Sequence, residues 1–164
     1  MKSLWAPWRM TYLNKDKDVT SGCLFCNKLD NDPSEDNLVI YQGKHVGIML
    51  NKYPYNNGHL LLVPNKHVSS LEDLSDQVVS ELAVLNKVAI RSLRSIYNPD
   101  GFNVGINIGE AAGAGIPDHI HMHILPRWSG DTNFITTIAE ARVIPEEMRT
   151  TYYKLRQAVE QQLS

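Results

Sequence analysis

The chain has 164 residues and a formal net charge of -2 at pH 7, from 16 basic and 18 acidic side chains. That length suits one domain with a hydrophobic core of its own, and the balance lacks the basic excess of a nucleic-acid-binding surface. No apolar run reaches the length of a bilayer span, and Met1 to Leu13 mixes charges with a proline where a signal peptide would be continuously apolar. A cytoplasmic protein with no membrane or nucleic-acid partner is expected. Residues 1–22 read as an irregular arm bearing Trp5, Trp8 and Tyr12, residues 23–135 as the core, and residues 136–164 as a C-terminal extension, all within one domain. Cys23 and Cys26 are the only cysteines, spaced C-x-x-C. They are too few for a disulfide framework, which leaves a metal site, a redox pair or two incidental thiols.

Residues 27–37 read as a polar loop containing Pro33. Leu38–Tyr41 and Val46–Leu50 read as short strands about a turn at Gln42 and Gly43. Asn51–Gly58 is a loop by its Pro, Asn and Gly content, and His59–Val63 a buried strand ended by Pro64. From Ser75, a candidate N-cap, Val78, Val79, Leu82, Leu85, Val88, Ala89, Leu93 and Ile96 recur at threes and fours. That spacing predicts one long amphipathic helix, stopped by Asn98-Pro99. A second helix is expected over Glu146–Leu163.

Two further strands carry the chemistry. In Gly101–Ile108, Phe102, Val104, Ile106 and Ile108 alternate with Asn103, Gly105 and Asn107, so one face should pack and the other stay polar and open. In His119–Trp128, His119, His121 and His123 share one face while Ile120, Met122 and Ile124 share the other. The outer two histidines of such a row lie roughly 13 Å apart at ~3.3 Å per residue, too far for one ion. A row of this kind suits nucleophilic catalysis better, because neutral imidazole attacks phosphorus well near pH 7. Gly109-Glu110-Ala111-Ala112-Gly113-Ala114-Gly115 joins the two strands, and its small residues let backbone N–H groups approach an anion.

The run H-I-H-M-H-I-L-P-R resembles the signature of the histidine-triad (HIT) superfamily. N-I-G-E-A-A-G resembles its phosphate loop, and Asn51 with Gly58-His59 resembles its first half. The opening L-W-A-P-W-R-M-T-Y-L, the C-x-x-C and P-R-W-S-G-D-T-N-F resemble the branch that acts on diadenosine polyphosphates. The resemblance implies an α+β fold, an antiparallel sheet of about five strands with one long helix packed on it and a C-terminal helix. It implies a homodimer and a nucleotide substrate, hydrolysed or phosphorolysed through a nucleotidyl-histidine intermediate on His121. His123 would bind phosphate, His59 would support the triad, and the carbonyl of His119 would receive the N–H of His121. Asn51 would contact ribose, and Asn103, Asn107 and the backbone of Gly113, Ala114 and Gly115 would serve the phosphates. Trp128 is a candidate for stacking on a base. The zinc-containing members further imply a structural zinc site of Cys23, Cys26, His67 and His119. The chain departs from the family pattern at Gly115 and Ile116, where many members carry glutamine or serine. Two other readings stay open: a nucleotide-binding protein with little turnover, and a nucleotidylyltransferase, whose branch typically has glutamine where this chain has His123.

Overall fold

A computed structural model describes residues 22–132 and 144–164. Trp5, Trp8 and Arg9, candidates for folding over the site or packing on a dimer mate, lie outside the described residues. The described elements run α1 (Leu24–Leu29), β1 (Val39–Gln42), β2 (Val46–Leu50), β3 (Leu60–Pro64), α2 (Asp76–Tyr97), β4 (Gly101–Ile106), β5 (Met122–Arg127) and α3 (Met148–Leu163). The strands form one antiparallel sheet in the order β1-β2-β3-β5-β4, so the fold is the expected α+β arrangement. No helix among the described residues is long and apolar enough to cross a membrane.

The sheet is buried on both faces at β1 to β3, which explains the unbroken apolar run Leu60–Val63. On one face Ile40, Val46, Ile48, Leu50, Leu60, Leu62 and Ile124 meet Leu82, Leu85, Ala89 and Leu93 of α2 and Tyr152, Leu155 and Val159 of α3. The other face carries a smaller cluster of Val39, Met49, Leu61 and Val63, covered by Phe25 and Leu29 of α1. Phe25 and Leu29 are four apart, so one side of this short helix points at the sheet. Gly47 makes room for that contact, since a Cβ there would stand 2.5 Å from Leu29 Cδ2. Glu81 of α2 accepts from the amides of His45 and Val46, tying the helix to the β1–β2 turn.

The structure corrects several sequence expectations. Residues 27–29 belong to α1 and not to a loop; one and a half turns are too short to leave a readable periodicity. The first strand runs Val39–Gln42, shifted by one residue from the expectation. Val79 is 38% exposed and lies outside the buried stripe of α2. Ser75 occupies the N-cap position through its backbone without a side-chain cap, whereas Asn98 ends the helix in the left-handed conformation at φ 42°. β4 stops at Ile106, and Val104 and Ile108 are 41% and 46% exposed, because β4 is an edge strand that α2 reaches only in part.

α2 and α3 are joined at their ends by one carboxylate. Glu146 accepts from Tyr97 Oη at 2.5 Å and Thr151 Oγ1 at 2.8 Å, and pairs with Lys154. Burial alone would raise the Glu146 pKa; the hydrogen bonds from Lys154, Tyr97 and Thr151 and the Lys154 charge outweigh it and hold it at about 2. Burial first, and the bond to Glu146 second, push Tyr97 up to about 12. The folded value of Glu146 lies below the unfolded value of about 4.3, so its contribution is complete above that value and disappears as pH falls towards the folded one. Glu146→Gln should therefore cost about 1–2 kcal/mol in urea unfolding at pH 7. The gap between variant and wild type should close between pH 4.5 and about 2; a gap independent of pH would show that the charge is not what matters.

Candidate functional site

The register of the sheet places the site. Gly105 of β4 and Leu61 of β3 lie opposite His123 of β5, so His121 and His123 stand on the face that α1 half covers. α1 shields β1 to β3, and among the described residues the β5–β4 half stays open beside it. His119 and His121 precede the ladder: β3 ends at Pro64, the chain then turns away, and Ile120 N–H bonds to the Val68 carbonyl at 2.7 Å. The expected strand over His119–Trp128 is thus shortened to Met122–Arg127, and the row of histidines continues into extended chain.

Hydrogen bonds fix the proton on each ring. His121 Nδ1 donates to the His119 carbonyl at 2.9 Å, so in the neutral ring the Nε2 lone pair is the nucleophilic position. His121 is 5% exposed, and burial lowers its pKa against the opposing pull of that carbonyl, which keeps the ring neutral. Phe25 of α1 leans on it at 4.9 Å between ring centroids and on His119 at 5.4 Å.

On the other side, the Tyr55 amide donates to His59 Nδ1 at 3.2 Å. An amide can only donate, so neutral His59 carries its proton on Nε2 and donates to His123 Nδ1 at 3.0 Å. Neutral His123 therefore bears its proton on Nε2. Asn51 joins this arrangement, its Nδ2 3.3 Å from His59 Nδ1 and its Oδ1 accepting from the Tyr53 amide. His59 and His119 are fully buried.

The third ring faces elsewhere. His119 Nε2 donates to the Pro64 carbonyl at 2.8 Å, which leaves its Nδ1 lone pair aimed at Cys23 Sγ (3.2 Å), Cys26 Sγ (3.6 Å) and His67 Nδ1 (3.3 Å). Cys26 Sγ is also 3.5 Å from His67 Nδ1, and all four ligand-type atoms lie within 4.8 Å of one another. The edges of a tetrahedron about zinc would be about 3.8 Å between sulfurs, 3.6 Å between sulfur and nitrogen and 3.4 Å between nitrogens. The donor set therefore fits a closed Cys2His2 centre in size, chemistry and tautomer. Burial, followed by the opposing Pro64 bond and then the neighbouring imidazoles, lowers the His119 pKa, which favours the neutral ligand form.

Between the strands, Gly109 (φ 79°, ψ 161°) and Gly113 (φ 87°, ψ 23°) both take positive φ, the latter left-handed, around a 3-10 turn over Glu110–Ala112. Asn107 Nδ2 reaches the Gly113 carbonyl at 3.5 Å, and the Ala114 amide bonds back to Gly109 at 3.3 Å. Ile116 packs against the Phe25 cluster, and Gly115 is exposed.

Arg127 and Asp131 form a pair that sequence reasoning did not identify. Arg127 Nε and Nη2 grip the carboxylate at 2.6 and 2.7 Å, and Nη1 donates to Asn103 Oδ1 at 2.8 Å. Asn56 Nδ2 and the Trp128 amide also donate to Asp131, at 2.7 and 3.2 Å. Arg127 above all holds the Asp131 carboxyl well below the usual carboxylate range. The i, i+4 spacing was the available signal, but it is common outside helices and weak alone. Trp128 is half buried beside this pair, and His45 sits at the β1–β2 turn, away from the triad.

Residues 32–130 match the family described as HIT domain. The AP-4-A phosphorylase of Mycobacterium tuberculosis is 43% identical over 157 residues, which cover 92% of this chain and 80% of that protein. A Zn-bound histidine triad family protein from Mycobacterium smegmatis superposes with a TM-score of 0.70 at 29% identity, over 87% of this chain and 96% of that one. The diadenosine triphosphate hydrolase of Plasmodium falciparum, 22% identical over 87% of this chain and all of that one, has the same fold at a TM-score of 0.65. With a matched segment that spans the triad, the loop before it and all five strands of the sheet, the chain belongs to the HIT family.

Proposed function

We propose that this protein cleaves diadenosine polyphosphates, or closely related adenylates, by transferring an adenylyl group through His121 to water or inorganic phosphate. The observation that carries the reading is the bond from His121 Nδ1 to the His119 carbonyl, which directs a neutral, buried Nε2 at substrate. That nitrogen forms a bond to the α-phosphorus, the bond from phosphorus to the leaving phosphate oxygen breaks, and its electron pair leaves on that oxygen. The His123 Nε2–H stabilises the charge developing there. The charge on the adenylylated imidazole is held by the same His119 carbonyl. Water then yields AMP and a proton, and inorganic phosphate yields ADP. Asn51 serves the ribose, Asn103, Asn107 and the Gly113–Gly115 backbone the phosphates, and Trp128 the base. The AP-4-A phosphorylase relative supports this substrate class. His123, where the transferase branch typically has glutamine, weighs against nucleotidylyl transfer to a sugar phosphate.

Diadenosine tetraphosphate should give ATP with AMP in phosphate-free buffer or ATP with ADP in phosphate, resolved by anion-exchange chromatography. His121→Ala should lower the rate by about three orders of magnitude or more. Wild type inert in both buffers would move the nucleotide-binding reading, which Gly115 and Ile116 favour, to the front.

Cys23, Cys26, His67 and His119 would hold a zinc ion whose part is structural, a closed cross-link between α1 and the sheet. The zinc named for the Mycobacterium smegmatis relative and the match of the donor set support this. Thiolate ligands also suit a reducing cytoplasm. Purified protein should carry one zinc per chain by plasma emission spectrometry. Cys26→Ser should lose it and lower the thermal midpoint by several degrees; full stability in metal-free protein would refute the cross-link.

The outer edge of β4, which no described strand pairs, with Val104 exposed beside it, supports a dimer in which two such edges pair about a two-fold axis. Sedimentation should find a dimer for wild type and a monomer for Val104→Lys.

A further inference from the structure

The open half of the catalytic face has a shaped floor. Gly105 lies directly across the ladder from His123, within a regular strand, and among the described residues a Cβ placed on it would meet nothing within 4 Å. A glycine weakens a strand interior, so empty space above one suits an approaching ligand better than packing. Two residues along the same face stands Asn103. Its Oδ1 accepts from Arg127 Nη1, which turns its Nδ2 hydrogens away from the guanidinium. Arg127 cannot swing off to other partners, because Asp131 grips its Nε and Nη2. Asp131 is in turn fastened by Asn56 and by the Trp128 amide. An ion pair with a half-exposed partner adds little stability, and what this one provides is a fixed orientation for an exposed amide.

We propose that the strip Gly105–Asn103 is the subsite for the phosphates beyond the scissile bond, with Asn103 Nδ2 as their donor and Arg127 and Asp131 as its positioning residues. This rests on the reading of adenylyl transfer through His121. The leaving chain departs past the Nε2–H of His123, crosses Gly105, which carries no side chain of its own, and reaches the Asn103 amide. Asp131 neutralises Arg127, so the track offers neutral donors where a bare guanidinium would hold a polyanionic product tightly. The subsite thus favours polyphosphate leaving groups without trapping them.

The test compares two substrates that would adenylylate the same histidine. Diadenosine tetraphosphate has a long anionic leaving group, and adenosine 5′-phosphorofluoridate loses only fluoride. Gly105→Val fills the strip from a position where an added Cβ meets no described atom within 4 Å, and Asp131→Asn releases Arg127. In each variant the ratio of kcat/KM for the tetraphosphate to that for the fluoridate should fall at least about tenfold, the size of one lost polar contact or a modest clash. A ratio within about twofold of wild type in Gly105→Val overturns the subsite, whether both activities persist or both decline together. An unchanged ratio in Asp131→Asn alone overturns the role of the ion pair. Wild type that cleaves neither substrate overturns adenylyl transfer itself, and the subsite with it.

Discussion

The backbone carbonyl of His119 is the hinge of this molecule. It accepts the Nδ1 proton of His121, while the ring of the same residue turns its own Nδ1 to Cys23, Cys26 and His67. One residue therefore sets the nucleophile's tautomer through its main chain and joins the thiol–imidazole cluster through its side chain. The Pro64 carbonyl makes both possible by taking the Nε2 proton of His119. Alternation on extended chain is what permits this: His121 and His123 can share a surface while a bond from residue to residue-plus-two runs along the backbone.

The same logic of forced proton placement runs through the loop after β2. A main-chain amide at Tyr55 decides which nitrogen of His59 is bare, and His59 decides the same for His123. The loop holds this geometry partly through Gly58, whose φ of 75° and close approach to Leu93 and Tyr97 exclude a side chain. Asn56 ties that loop to Asp131 beyond β5, so both flanks of the triad share one hydrogen-bonded frame.

The elements with long or strict periodicity were legible in the sequence: α2 to the residue at both ends, β2, and the histidine row. The candidate site stood out because histidine is rare in this chain and three of its six alternate along one strand face. What escaped had physical causes. α1 is too short to show a helical period, so Phe25 was invisible as a neighbour of His121 although it is nearly fully buried. The alternation in Gly101–Ile108 indicated two faces, but no pattern says which strand ends a sheet, and Val104 and Ile108 lie at an edge. Tautomers and the Arg127–Asp131–Asn103 chain depend on distances that only the folded chain supplies.

α1 is six residues long, far short of what a helix needs to persist alone. It stays in place through Phe25 and Leu29 on one side and through the tethering of Cys23 and Cys26 to His67 and His119 on the other. Beneath it lie Val39, Met49, Leu61 and Val63, an apolar surface against which Ile116 also packs. Detaching the two thiols would leave the larger core on the opposite face intact, so the domain would stay folded while baring a greasy patch. The cysteine pair is in that sense a guard against clumping: its failure would show first as self-association of native-like protein, ahead of any unfolding.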